Sequence, residues 1–129
     1  MTDKEINDLF HSVLDGLTVM DILETPEFYD AVKAELEQQR ALRIASRAAA
    51  GRRRLPSHTV DKFMDCPVQG FIDDAVLVLA KKSLRPYAER KYIAQLTKVA
   101  YDKAVRRIVA AKSPEYAAEL KRVEDAKRN

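Results

Sequence analysis

Six arginines near the middle of the chain are the residues whose chemistry can be named most directly. Arg40, Arg43 and Arg47 are spaced by four or three residues, so on a helix they project from one side. Arg52, Arg53 and Arg54 extend this set beyond the predicted helix end. We call the six the arginine row. A row of guanidinium groups suits a phosphate backbone, which is bound through charge attraction and counterion release without reading of base sequence.

A second group of bases alternates with aliphatic residues on a long predicted helix. The group is Lys91, Lys98, Arg106 and Arg107, of which Lys98, Arg106 and Arg107 are the candidates for phosphate contacts. The same pattern is typical of the solvent side of an amphipathic helix, and the arginine row itself is also explained by a solvated face or by pairing with acidic helices.

Four tyrosines lie among these bases. An aromatic side chain beside basic residues can stack on the bases of a single strand. These tyrosines also fall at helical spacing with apolar residues, which favours packing in the core. The four are Tyr87, Tyr92, Tyr101 and Tyr116.

The remaining reactive side chains do not combine into a catalytic or metal-binding pattern. His11 and His58 are the only histidines, and neither has partners at metal-ligand spacing. Asp73 and Asp74 are adjacent, so on a helix they point about 100° apart and do not form an acid/base pair. Cys66 precedes Pro67 near a helix start, where a thiolate is favoured, although burial as an inert thiol fits cysteine better. We therefore expect no enzyme activity, cofactor or metal.

Charge is distributed unevenly along the chain. Residues 1–39 hold ten acids and two bases, a net charge of −8, whereas residues 40–62 hold seven bases and one acid, a net charge of +6. Residues 63–80 hold three acids and no base, and residues 81–129 hold fourteen bases and six acids. The acidic first third repels phosphate, so nucleic-acid binding would fall to the later segments.

The elements that must position these residues are helices. Thr2 and Glu5 have capping-box spacing before an amphipathic helix of about residues 3–15 that ends near Gly16. A short turn or helix follows at 18–24. A second long helix is predicted from Pro26, with Phe28, Val32 and Leu36 facing inward, until Gly51 ends it.

The second half of the chain has the same helical character. Residues 51–57 are predicted as a basic loop and 59–64 as a short helix, and Pro67 opens a helix that is apolar nearly all round from Ala75 to Ala80. That helix is predicted to be the buried centre. Pro86 then opens a long helix to about Lys112, and Ser113-Pro114 opens the last one. The long helix is predicted to bury a stripe with Tyr92 and Val99 beside it, and the stripe is Ile93, Leu96, Ala100, Ala104, Ile108 and Ala111.

Length and composition complete the assignment. The chain has 129 residues, three glycines and 33% charged residues, which predicts one all-α domain, a compact bundle of about five helices. We expect no membrane association, because no apolar stretch approaches the roughly 20 residues that a span needs. A single cysteine and no evident leader favour a cytoplasmic protein, or one associated with a phage particle or the host cytoplasm.

The layout of the first third resembles phage terminase small subunits. A short helical hairpin leads to a second helix that is capped by Thr25-Pro26 and becomes basic; the resemblance runs from Phe10 to about Arg43 and rests on no diagnostic motif. It implies a ring-forming, DNA-binding protein that regulates packaging. The acidic residues 1–39 depart from the basic recognition helix of many such subunits, which moves any DNA contact to Arg40–Arg54.

Two functional hypotheses follow. In the first, the protein is a non-enzymatic, nucleic-acid-associated bundle that binds DNA or RNA phosphates through the arginine row, with Lys98, Arg106 and Arg107 added. In the second, it is an assembly or adaptor subunit of viral or inhibitory type, and its acidic and basic surfaces join copies into a homo-oligomer or dock on a protein partner. Attraction of the two ends within one monomer is a third possibility.

Overall fold

The computed structural model describes residues 2–50, 63 and 66–128, with side chains given for 2–46, 63 and 66–127. Within this part of the chain there are six α-helices and no strand, which confirms the predicted all-α bundle. The helices are α1 (Asp3–Leu14), α2 (Val19–Leu23), α3 (Pro26–Ala50), α4 (Val68–Leu79), α5 (Tyr87–Lys112) and α6 (Pro114–Arg128).

The predicted helix starts are confirmed by their caps. The Thr2 hydroxyl accepts a hydrogen bond from the Glu5 amide at 3.2 Å, and the Thr25 hydroxyl accepts one from the Phe28 amide at the same distance. A full capping box joins Thr18 and Asp21 at the start of α2. Gly16, with φ of 79°, ends α1 in a backbone conformation that glycine adopts without steric cost.

The core runs along the first half of α3 and along α5. Phe28, Val32 and Leu36 are buried as predicted. Beyond Leu36 the helix leaves the bundle, since no side chain from 37 to 46 is buried. Leu42 and Ile44, both more than half exposed, lie on this outer part.

The prediction that the helix after Pro67 is the buried centre is wrong. α4 buries only Phe71, Ile72 and Ala75, while Leu77 and Leu79 are each 44% exposed. The central helix is α5, which touches each of the other five helices. Because α4 lies at the edge of the bundle, it packs one face on the core, with Val68, Val76 and Val78 partly buried beside it, and leaves Leu77 and Leu79 exposed.

The buried side of α5 follows the predicted stripe and then widens. The predicted residues Ile93, Leu96, Ala100, Ala104 and Ile108 are buried, whereas Ala111 is exposed and Val99 is 43% exposed. Val105 and Val109 are buried in addition. α1 and α6 both pack on α5, with the Phe10 and Tyr116 rings in edge contact at 5.2 Å.

An aromatic cluster packs against the segment between α4 and α5. Phe63 is 2% exposed, stacks on Tyr92 at 5.1 Å and meets Phe71 edge-on at 5.8 Å. The Arg85 guanidinium lies 5.3 Å from the Phe63 ring centroid and donates to the Asp74 carboxylate on α4 at 2.8 Å. It also donates to the buried Glu89 on α5 at 3.1 Å. Arg85 therefore fixes the turn between the two helices.

Candidate nucleic-acid interface

The arginine row begins on the outer part of α3. Arg40 is exposed and Arg43 half-buried, and each takes part in at least one interaction within the chain. Arg47 lies on the same helix, but its side chain falls outside the described residues, as do Arg52, Arg53, Arg54, the predicted loop at 51–57, the predicted helix start at Thr59 and His58. The described part of the row thus projects away from the core.

The three predicted bases of α5 do not share one face. Lys98 and Arg107 are nine residues apart, which places them on roughly opposite sides of an α-helix. Lys98 is exposed on the outer side. Arg106 and Arg107 instead line a groove between α1, α5 and α6, where the lining also includes the acids Asp3 and Glu119. Phosphate would meet carboxylates there as well as bases.

A basic cleft, which was not predicted from the sequence, lies where α4 turns into α5. It has a volume of about 440 Å³, and among the described residues that line it none is acidic. Its apolar wall is Val78 and Ala94. Its polar, basic and aromatic lining side chains, which we call the basic cleft residues, are Lys81, Ser83, Tyr87, Arg90 and Lys91.

The cleft is built from one turn and the first turns of a helix. Arg90 and Lys91 are exposed on α5 and follow Tyr87 by three and four residues, so the three side chains lie near one another. The first amides of α5 follow Pro86, and no side chain caps them. The positive end of the helix dipole thus adds to the charge of the three bases.

Lys81 has a backbone conformation that is uncommon for a lysine. Its φ is 59°, the only positive value among described non-glycine residues. It occupies the position after the α4 C-cap in a Schellman motif, in which the Lys82 amide donates to the Leu77 carbonyl at 2.9 Å and the Lys81 amide to the Val78 carbonyl at 3.1 Å. Glycine is the usual residue here, so the lysine carries a steric cost at the edge of the cleft.

Tyr87 departs from the expectation that the tyrosines pack in the core. Tyr116 is buried, and Tyr92 and Tyr101 pack partly buried against the core, as predicted. Tyr87 is 70% exposed. The Arg90 guanidinium lies 6.0 Å from its ring centroid, at the limit of a cation–π contact. An exposed ring beside three bases is the combination of aromatic and basic side chains that can stack on an unpaired base.

The side chains of Asp73, Asp74, Cys66 and His11 have different surroundings. Asp74 accepts from Arg85, whereas Asp73 accepts from the Gln69 amide at 3.0 Å, so the two carboxylates have separate partners as expected. Cys66 is partly buried, and burial followed by the nearby Asp74 charge raises the pKa of its thiol, opposite to an activated thiolate. His11 is exposed in the last turn of α1.

A groove of opposite charge lies on another side of the bundle. It has a volume of about 320 Å³ and lies between α2, the start of α3 and α4. Its apolar lining includes Met20 and Tyr29, each 40% exposed, and its charged residues are the acids Glu24 and Asp73. We call it the acidic groove. It repels phosphate and would suit an apolar segment that carries basic residues.

No described helix is long and apolar enough to cross a membrane, and no three described His, Cys, Asp or Glu residues are grouped to hold a metal. No family model matches the chain, and no curated protein and no solved structure is significantly similar to it. The resemblance to terminase small subunits therefore stays an expectation from layout.

Proposed function

We propose that this protein binds the phosphate backbone of nucleic acid and has no catalytic role. The observation that supports this most directly is the basic cleft, where Lys81, Arg90 and Lys91 converge without an acidic neighbour in the described lining. Three charges close together hold phosphate more strongly than separate surface lysines. The conformational cost that Lys81 carries is consistent with a functional position.

The surface extends along α5 from the cleft. Lys98 is exposed seven residues after Lys91, which places it about 10 Å further along the helix and on nearly the same side. Lys91 and Lys98 can therefore contact the same backbone. The arginine row, which begins on α3, is a second basic segment of the proposal, whereas Arg106 and Arg107 contribute less because their groove includes acids.

The test is fluorescence anisotropy with labelled single-stranded and duplex DNA and RNA at low and at physiological salt. A cleft variant carries Lys81→Ala, Arg90→Ala and Lys91→Ala. A matched control, Lys4→Ala with Lys33→Ala and Lys121→Ala, removes the same charge from exposed positions outside the cleft. A third variant changes all six residues of the arginine row to alanine.

We expect the cleft variant to bind more weakly and to lower the slope of log affinity against log salt by about 2 to 3. The control should keep affinity and slope close to those of the unchanged protein. Equal losses in the cleft variant and the control would remove the cleft from the proposal, and a loss confined to the arginine variant would place binding on the arginine row. Absence of binding to every probe at low salt would refute the function.

Assembly is the second candidate, and two surfaces favour it. The outer part of α3 exposes Leu42 and Ile44 beside Arg40 and Arg43, and the acidic groove offers apolar walls with carboxylates. The first surface of one copy complements the second surface of another in both charge and polarity. Sedimentation equilibrium tests it: a discrete oligomer that dissociates on Leu42→Asp but not on Leu84→Asp would support assembly, and a monomer at all concentrations would refute it.

A further inference from the structure

The basic cleft contains a side chain that phosphate binding alone does not require. Tyr87 is 70% exposed in the first position of α5, whereas three of the other tyrosines are buried or partly buried against the core. An exposed aromatic ring contributes little to folding. Its place among Lys81, Arg90 and Lys91 is what distinguishes the cleft from a solvated basic surface.

The geometry allows the ring to accept a planar ligand. Arg90, one helical turn after Tyr87, has its guanidinium 6.0 Å from the ring centroid, and the high exposure of the tyrosine leaves much of the ring open to solvent. The cleft volume of about 440 Å³ falls in the range of sites that hold small organic groups. Val78 and Ala94 add apolar wall.

We propose that the basic cleft binds an unpaired base of single-stranded nucleic acid, which stacks on Tyr87 while its flanking phosphates contact Lys81, Arg90 and Lys91. This inference rests on the proposed function and names the form of nucleic acid that the site selects. Stacking on an aromatic side chain is available to any base that is out of a duplex, so it adds affinity with little dependence on sequence. Paired bases are already stacked on one another, and a duplex contacts only the cationic groups.

The experiment uses the tyrosine fluorescence of the full chain, which contains no tryptophan. Oligothymidylate and a duplex of the same length are titrated into the protein at low salt, and their affinities are measured in parallel by anisotropy. The variants are Tyr87→Leu, which removes the ring, and Tyr87→Phe, which keeps it. Tyr29→Leu is the matched control, because Tyr29 is also a partly exposed tyrosine but lies in the acidic groove. Circular dichroism checks that each variant keeps its helices.

Stacking predicts that Tyr87→Leu weakens single-strand binding by about 5- to 150-fold and leaves duplex binding unchanged. Tyr87→Phe should keep the affinity while losing the part of the fluorescence quenching that Tyr87 provides, and Tyr29→Leu should alter neither affinity. If Tyr87→Leu binds both probes as the unchanged protein does, the stacking inference is overturned while phosphate binding stands. If neither probe binds, the proposed function falls and the inference falls with it.

Discussion

Replacing Lys81 with glycine should stabilise the fold and weaken nucleic-acid binding. At φ of 59° a residue with a Cβ pays about 1–2 kcal/mol for the left-handed conformation, which glycine avoids. Glycine in turn loses more backbone entropy on folding, about 0.5–1 kcal/mol. The balance predicts that Lys81→Gly raises the free energy of unfolding by about 0.5–1 kcal/mol.

The neighbouring lysine provides a control with the same change in net charge. Lys82 has no positive φ and is exposed, so Lys82→Gly keeps only the entropic cost and should lower the free energy of unfolding by about 0.5–1 kcal/mol. Urea denaturation of the two variants and the unchanged protein measures the difference directly. In the binding assay Lys81→Gly should also reduce the salt slope by about 0.9, because one phosphate contact is lost.

Opposite changes in the free energy of unfolding for the two glycine variants would show that Lys81 occupies a backbone conformation that favours glycine. If Lys81→Gly destabilises the protein as much as Lys82→Gly does, the conformational cost that we assign to Lys81 is refuted. If it stabilises the protein but binds nucleic acid unchanged, Lys81 is not part of the interface. A stabilised variant that binds more weakly shows that stability was lost at this position in favour of function.

Three further predictions concern the core and its titrating groups. Phe63→Ala should lower the free energy of unfolding by about 3–5 kcal/mol because Phe63 is 2% exposed, while Leu84→Ala at a fully exposed site should change it by less than about 0.5 kcal/mol in the same urea experiment. Burial raises the pKa of Tyr92 and Tyr116 above 10.0, so the unfolded chain releases these protons first; the free energy of unfolding should fall as pH rises above 10, and less steeply when both are phenylalanine. The raised thiol pKa of Cys66 should move the midpoint of its alkylation rate above pH 9.0, and a midpoint below 9.0 would contradict the geometry.

Helix positions were predictable because caps and prolines act locally. Thr2, Thr18 and Thr25 each accept an amide hydrogen bond at a helix start, and Ser113 does so for α6 at 3.3 Å. These contacts span three residues, so they are encoded in a short stretch of sequence. Which helix lies at the centre depends on the whole arrangement and is not encoded in the same way.

The choice of central helix shows this dependence. The apolar run from Ala75 to Ala80 predicted a buried helix, yet α5, with many charged residues, is the central one. Ala100 and Ala104 on α5 are fully buried, and their small side chains allow neighbouring helices to approach closely. The total hydrophobicity of a helix does not predict how many other helices pack against it.

The sequence predicted a basic site for the candidate interface, but it did not predict which side chains come together. The arginine row indicated nucleic acid, but the sequence did not show that Tyr87, of the four tyrosines among the bases, would be exposed. Nor did it show that Lys81 and Ser83 would line one cleft with Arg90. That proximity is produced by the turn between α4 and α5, which Arg85 fixes through Asp74 and Glu89. Lys81 itself marks this turn, because it follows the C-cap of α4, a position that glycine ordinarily occupies.

The long α3 helix has two parts that differ in what keeps them folded. Up to Leu36 its turns are held by packing, whereas the residues from 37 to 46 bury no side chain and depend on the intrinsic helix preference of alanine, arginine, leucine and glutamine. A helical stretch of this length is marginal by itself in water. Amide hydrogens beyond Arg40 should therefore exchange with solvent far faster than those between Phe28 and Leu36, and a bound polyanion would slow that exchange by holding the outer turns closed.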